Sequence, residues 1–128
     1  MLKALNPTTV AAPFSNYAHA VKAPAGASWL HISGQVGVAR DGAVPDDFAG
    51  QCEQAFRNLL AILDEAGMDV ADVVRINTYL TDAADIAAYR GIRDRMLQNH
   101  ATASTLLVVA GLATPKLKVE IEAVAAKL

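Results

Sequence analysis

The feature that most constrains the fold is one long amphipathic helix in the middle of a chain of 128 residues. Within residues 46–66 the apolar side chains recur at helical spacing and form one face. That face comprises Phe48, Cys52, Ala55, Phe56, Leu59, Leu60, Leu63 and Ala66. Asp46 and Asp47 lie where the positive end of the helix dipole favours acidic groups, and Gly67 suits the position after the helix. A helix with one apolar face needs a second layer to pack against.

The remaining patterns predict that this second layer is a sheet. Period-two alternation and turn residues delimit strands over residues 17–23, 28–38, 73–80, 104–112 and 117–126. A short extra strand is predicted beside the turn at Asp41-Gly42, and a second helix over residues 82–99. Two helices among these strands predict an α+β fold with a mixed sheet and both helices on one face. The length fits one domain, residues 1–128.

The charge content predicts that the chain associates with itself. Charged residues make up 19% of the chain, below the usual ~25%, and hydrophobic residues make up 53%. A small monomer with so few charges would expose apolar patches to water, and such patches usually mark an interface. We therefore expect a homo-oligomer in which another copy covers one face of the sheet.

The same composition disfavours several other partners. A net charge of −2 provides no basic surplus for phosphates, so nucleic acid is not an expected partner. No apolar stretch reaches the ~18–20 residues of a membrane span, and residues 1–7 do not resemble a signal peptide. The single cysteine, Cys52, excludes an intramolecular disulfide, and its place on the apolar helix face favours a core role over a nucleophile. These features predict a cytoplasmic protein that binds no membrane.

No metal or cofactor site is predicted. His19, His31 and His100 show no metal-ligand spacing. Gly34 and Gly37 form a lone Gly-x-x-Gly, for which a turn or bulge near a strand end is favoured over a phosphate loop.

Two carboxylates on the last strand are candidates for chemistry. Glu120 and Glu122 alternate with apolar residues and therefore share one face of the strand, about 7 Å apart. A solvated face is the favoured explanation from the sequence alone. The functional interpretation is a carboxylate in a cleft that orients water or accepts a proton.

An arginine cluster on the second helix is a candidate anion site. Arg90, Arg93 and Arg95 lie close together, and the arginine fork donates two parallel hydrogen bonds to a carboxylate. The favoured interpretation is a solvent-facing helix side with Asp94 as the partner of the arginines. Polar strand residues that could line a pocket are His31, Ser33, Gln35, Asn77 and Ser104.

Four stretches of the chain together resemble the RidA (YjgF) family of reactive enamine/imine deaminases. They are residues 15–21 with a tyrosine motif, residues 32–35 with Ser-Gly-Gln at a strand end, residues 51–67 and then 72–82 with the central helix and strand, and residues 117–125. The resemblance covers nearly the whole chain, in the same order and spacing. It implies a chorismate-mutase-like fold and a homotrimer around a central barrel of sheets, with ligand clefts between subunits.

The resemblance also implies site residues. Glu120 matches the family's catalytic glutamate, Tyr17 its cleft tyrosine, and Gly34, next to Ser33, the glycine whose backbone approaches the ligand. Arg90 falls where the deaminases have an asparagine in the cleft.

Ser104 stands where the family has the arginine that holds the substrate carboxylate. Serine cannot donate that charged, two-pronged pair. The expected function is therefore that of a divergent RidA-like protein, which binds small metabolites in inter-subunit clefts and hydrolyses enamines or imines, as a 2-iminobutanoate/2-iminopropanoate deaminase does. The alternative is a non-catalytic ligand-binding or regulatory trimer, and a ribonuclease or translation inhibitor is the weakest interpretation.

Overall fold

The structure, a computed structural model, describes residues 1–128 and contains six strands and two helices. In chain order these are β1 Lys3–Leu5, β2 Ala20–Lys22, β3 Ser28–Val36, α1 Phe48–Glu65, β4 Val73–Leu80, α2 Ile86–Met96, β5 Ala103–Val108 and β6 Val119–Lys127. The main sheet has the order β3-β6-β4-β5, in which only β4 and β5 pair in parallel. The predicted α+β class and mixed sheet are confirmed.

The first helix follows the predicted pattern closely. α1 begins after Asp47, and Gly67 adopts a left-handed φ of 71° two residues beyond its end, where its N–H donates to Asp64 O. The predicted apolar face is buried except at Leu60, which is half-buried, and Ala66, which is exposed. Neither helix is long and apolar enough to cross a membrane.

The core lies between the helices and one face of the main sheet. Along β6, Val119 and Ile121 are fully buried beneath the helices, whereas the alternating residues Glu120 and Glu122 face the other way. One hydrogen bond in this core, 2.5 Å between Thr78 Oγ1 and Tyr89 OH, gives two buried hydroxyl groups a partner. The sheet face away from the helices bears Arg75, Asn77, Tyr79, Glu120 and Glu122, and we call it the open face.

The predicted strand beside Asp41-Gly42 was wrong. Residues 39–43 form a tight turn instead, in which Gly42 N–H donates to Ala39 O. The extra strand is β1, which pairs antiparallel with β2 and places Ala4 opposite Val21. Three residues are too few to show alternation, so β1 is a strand only because β2 pairs with it.

Three predicted elements are shorter than expected. The strand over residues 17–23 is reduced to β2, and the helix over residues 82–99 ends at Met96, ahead of Gln98 and Asn99 with left-handed φ values of 53° and 59°. The strand over residues 104–112 ends at Val108, because its partner β4 ends opposite it at Leu80.

A buried amide fixes the start of β6. Gln51 on α1 is 1% exposed, and its Nε2 donates to Pro45 O and Lys116 O, both at 2.9 Å. Its Oε1 accepts from Lys118 N at 2.8 Å. Gly37 packs directly on this residue, since a Cβ there would lie 2.5 Å from Gln51 Cα. The helix thereby holds the strand that carries Glu120.

Candidate functional site

A β-bulge brings Gly34 against Glu120. β3 has one residue more than β6 between two paired positions, because Ile32 faces Ala123 while Gln35 faces Ile121. The bulge interpretation of Gly34 is thus confirmed. A Cβ at Gly34 would overlap the Glu120 carboxylate and would lie 2.8 Å from its Cδ. A side chain at position 34 would therefore displace the Glu120 carboxylate from this position.

The two carboxylates of β6 have different surroundings. Glu122 accepts hydrogen bonds from Tyr79 OH at 2.6 Å and from Asn77 Nδ2 at 3.3 Å. The hydrogen bond to Glu122 raises the pKa of Tyr79. Glu120 is half-buried and accepts no hydrogen bond within the chain. Glu120 therefore has its oxygen lone pairs available for water or a ligand.

Ser33 also lies on the open face, where it lines a cavity beside Glu122. The cavity has a volume of about 310 Å³ and is also lined by His31, Arg75 and Asn77. Arg75 keeps its charge there, and its Nη2 donates to Thr105 Oγ1 at 2.7 Å.

Three of the predicted site residues meet on the other side of the sheet, beside α2. Tyr17, Arg90 and Ser104 line one cavity of about 230 Å³, which we call the α2 cleft. Its remaining lining residues are Phe14, Ser15, Arg93 and Leu106.

Local contacts hold the walls of the α2 cleft. Ala18 N donates to Thr102 O at 2.9 Å and ties the N-terminal segment to the residues before β5. Tyr17 OH accepts from Phe14 N at 3.3 Å, and the Tyr17 ring meets His19 edge-on with the centroids 6.0 Å apart. These contacts hold the Tyr17 segment beside β5, so that Tyr17 and Ser104 line the same cavity as the arginines of α2.

Arg93 is the charged residue that the fold buries. Its side chain is 6% exposed, and its Nε donates to Asp94 Oδ1 at 3.0 Å. The guanidinium carbon lies 5.8 Å from the centre of the Tyr89 ring, within the range of a cation–π contact. Nη2 is 3.0 Å from the same Asp94 oxygen but makes no aligned hydrogen bond, and it is buried. Arg93 thus lines the cleft while its Nη2 N–H groups lack an aligned acceptor.

The three arginines of α2 have separate surroundings. Arg90 is exposed at the α2 cleft and has no ion-pair partner, whereas Arg95 pairs with Glu53 of α1 at 2.7 Å and lies outside the cleft. Sequence reasoning named this cluster but did not single out Arg93. The available signal was its spacing from Tyr89, four residues earlier, which puts Arg93 on the buried side of the helix.

One chain does not bring the predicted site residues into a single cavity. Glu120 and Gly34 are on the open face, whereas Tyr17, Arg90 and Ser104 are on the helix side. β4 separates the strands that bear Glu120 and Ser104.

Other reactive groups do not add to these sites. Cys52 is fully buried, and burial raises its thiol pKa to about 12, so little thiolate forms near neutral pH. The His, Cys, Asp and Glu side chains form no group of three or more that could hold a metal ion.

The model of a protein family described as Endoribonuclease L-PSP matches residues 8–127. The chain belongs to the RidA (YjgF) family. This RidA-family chain is 33% identical over 103 residues to the 2-iminobutanoate/2-iminopropanoate deaminase of Salmonella typhimurium, with 78% of this chain and 80% of the relative covered. It is also 31% identical over 131 residues to a RutC family protein of Pasteurella multocida, with 99% of both chains covered.

Solved structures agree with this membership. A Rid-family protein of unknown function from Yersinia pestis superposes with a TM-score of 0.88 at 32% identity, covering 98% of both chains. The Escherichia coli protein TdcF, crystallised with bound serine, superposes with a TM-score of 0.74 at 25% identity, covering 98% of this chain and 99% of TdcF. The RidA fold of the chain is therefore established.

Proposed function

We propose that this RidA-family chain forms a homotrimer whose inter-subunit clefts bind small metabolites and hydrolyse enamines or imines to a carbonyl compound and ammonia. One observation carries the proposal. Glu120 is seated against Gly34, and it accepts no hydrogen bond within its own chain.

The arrangement of the two faces supports a site shared between copies. A substrate in the α2 cleft of one chain cannot reach the Glu120 of that chain, because the sheet lies between them. The open face also exposes Trp29 by 54% and Leu107 by 50%. Large exposed apolar side chains on one sheet face favour its burial by further copies.

The proposed reaction needs one base and one water. Glu120 accepts a proton from a water molecule while the water oxygen bonds to the imine carbon. Glu120 returns that proton to the nitrogen, which gives a neutral carbinolamine. Glu120 then transfers the carbinolamine hydroxyl proton to the nitrogen as the C–N bond breaks, so that a carbonyl compound and ammonia leave. General-base catalysis of this kind contributes roughly 10²- to 10⁴-fold to the rate.

The remaining site residues take binding roles in this proposal. Tyr17, Arg90 and Ser104 contact the substrate from the α2 cleft, and Ser33 and Gly34 contact it from the bulge of the neighbouring copy. The named activity of the Salmonella relative supports this chemistry. A single buried cysteine, Cys52, agrees with the cytoplasm as the proposed location.

Ser104 favours a second candidate, a ligand-binding trimer without catalysis. A hydroxyl group offers a substrate carboxylate one neutral hydrogen bond rather than a charged pair. An endoribonuclease activity is not proposed for this chain, because its net charge of −2 leaves no basic surplus for a phosphate backbone.

Ammonia release from 2-iminobutanoate generated in the assay tests the hydrolase. We expect Glu120→Gln to lower kcat by about 10²- to 10⁴-fold, whereas Glu65→Gln, an exposed position at the end of α1, leaves it unchanged. Equal rates for wild type and Glu120→Gln would contradict the role of Glu120. A wild type that binds 2-oxobutanoate without accelerating ammonia release would support the non-catalytic alternative.

A further inference from the structure

We infer that the α2 cleft is a monocarboxylate site in which Arg93, rather than a strand residue, holds the ligand's carboxylate. The inference rests on the proposed function in one respect, since it takes the α2 cleft as the place where the substrate binds. It assigns the anchoring charge to one residue and one ligand group.

The first argument is the incomplete pairing of a buried guanidinium. Asp94 is the one carboxylate in contact with Arg93, and its Oδ1 also lies 3.4 Å from Asn16 Nδ2. Arg93 uses only its Nε in an aligned hydrogen bond, although its side chain is 6% exposed. Buried donors in native proteins nearly always have partners. Nη2 is buried, so an acceptor in the adjoining cavity would reach the guanidinium through Nη1, which makes no hydrogen bond within the chain.

The second argument is charge. Arg90 and Arg93 both line the α2 cleft, whereas Asp94 pairs with Arg93 alone, which leaves an excess of one positive charge. One excess charge matches a monoanion. A carboxylate also presents two oxygens in the planar spacing that the guanidinium fork recognises.

The third argument is the size and lining of the cleft. A volume of about 230 Å³ is smaller than a typical drug-sized pocket and suits a metabolite of a few carbons. Ser104 offers a hydroxyl beside the arginines, while Leu106 and the 86% exposed Phe14 offer apolar contact. The lining therefore fits a short-chain acid with its carboxylate on Arg93.

Calorimetric titration of the full-length protein with 2-oxobutanoate and with its neutral amide tests this assignment. We expect wild type to bind the carboxylate at least 10-fold more tightly than the amide. Arg93→Gln should weaken carboxylate binding by about 10- to 100-fold and amide binding by less than 3-fold. Arg95→Gln is the matched control, since Arg95 lies on the same helix outside the cleft, and it should change neither affinity.

A purely structural role for Arg93, through its contact with Tyr89, predicts a different pattern. In that case Arg93→Gln weakens both ligands equally, and this outcome would overturn the inference, as would unchanged carboxylate binding. If Arg93→Gln does not fold, Arg93→Lys decides, because it keeps the charge but loses the fork. A selective carboxylate loss of 5-fold or more supports the assignment, and wild-type selectivity overturns it.

Two further comparisons separate this inference from the proposed hydrolase. Glu120→Gln should keep wild-type affinity for 2-oxobutanoate while losing ammonia release, because Glu120 acts on the water molecule and not on the ligand's carboxylate. A wild type without hydrolysis but with Arg93-dependent carboxylate binding would refute the hydrolase alone. Normal hydrolysis with unchanged KM and carboxylate affinity in Arg93→Gln would refute the Arg93 assignment alone.

Discussion

Replacing Gly34 by alanine should displace the Glu120 carboxylate without unfolding the protein. The new Cβ would lie 2.8 Å from Glu120 Cδ and 3.1 Å from Cγ, whereas carbon atoms in contact prefer about 3.5–4.0 Å. The carboxyl group must therefore retreat by about 1 Å. Because it is the end of a flexible side chain rather than backbone, the displacement costs little stability. We expect the free energy of unfolding to change by less than about 1 kcal/mol.

The effect on the proposed reaction should be much larger. A misplacement of about 1 Å of a catalytic group can cost on the order of 10²-fold in rate, or about 2.7 kcal/mol in activation free energy. The assay is kcat for ammonia release from 2-iminobutanoate, with urea unfolding measured in parallel. Gly111→Ala is the matched control, because a Cβ there would meet nothing within 4 Å and should leave both quantities unchanged. A wild-type kcat in folded Gly34→Ala would refute the inference that the contact with Gly34 positions the Glu120 carboxylate.

Two further predictions concern the core and the assembly. Burial raises the pKa of the Cys52 thiol from 9.0 to about 12, so the native state resists its ionisation while the unfolded chain does not. The thiol's contribution to the free energy of unfolding is complete below pH 9 and falls between pH 9 and 12. In urea unfolding, wild type should therefore lose about 1.4 kcal/mol more than Cys52→Ala between pH 8 and 10. Equal losses in the two proteins would contradict this prediction. Light scattering at micromolar concentration should give three times the mass of the 128-residue chain, and a monomer or dimer mass would exclude the trimer.

Local sequence patterns were enough to predict the elements whose own residues determine their structure. α1 and β4 were predicted closely because each buries one face, so that periodicity alone reports which residues turn inward. β1 could not be found in this way, since Lys3–Leu5 is a strand only through its pairing with β2, some fifteen residues later. The end of β5 at Val108 likewise depends on where its partner β4 ends.

The candidate site was predictable in its residues but not in its grouping. Alternation along β6 placed Glu120 away from the core, and the bulge at Gly34 was anticipated from a glycine near a strand end. Which face of the sheet each polar residue joins depends on strand order, which no single segment encodes. The distinction between Arg90 and Arg93 needed the position of α2 against Tyr17 and Ser104, a long-range contact.

The separation of Glu120 from the α2 cleft constrains any activity of this chain more than the identity of either group does. Neighbouring strands lie about 4.8 Å apart, so β6 and β5 are about 10 Å apart across β4, and the two groups also point to opposite faces. Rotation of side chains cannot close that gap around a substrate that fits a cavity of about 230 Å³. Either the two groups serve separate ligands within one chain, or they meet across an interface between copies. Only the second arrangement brings Glu120 to a substrate held in the α2 cleft, and it supplies the arginines of that cleft and the carboxylate of Glu120 to one ligand.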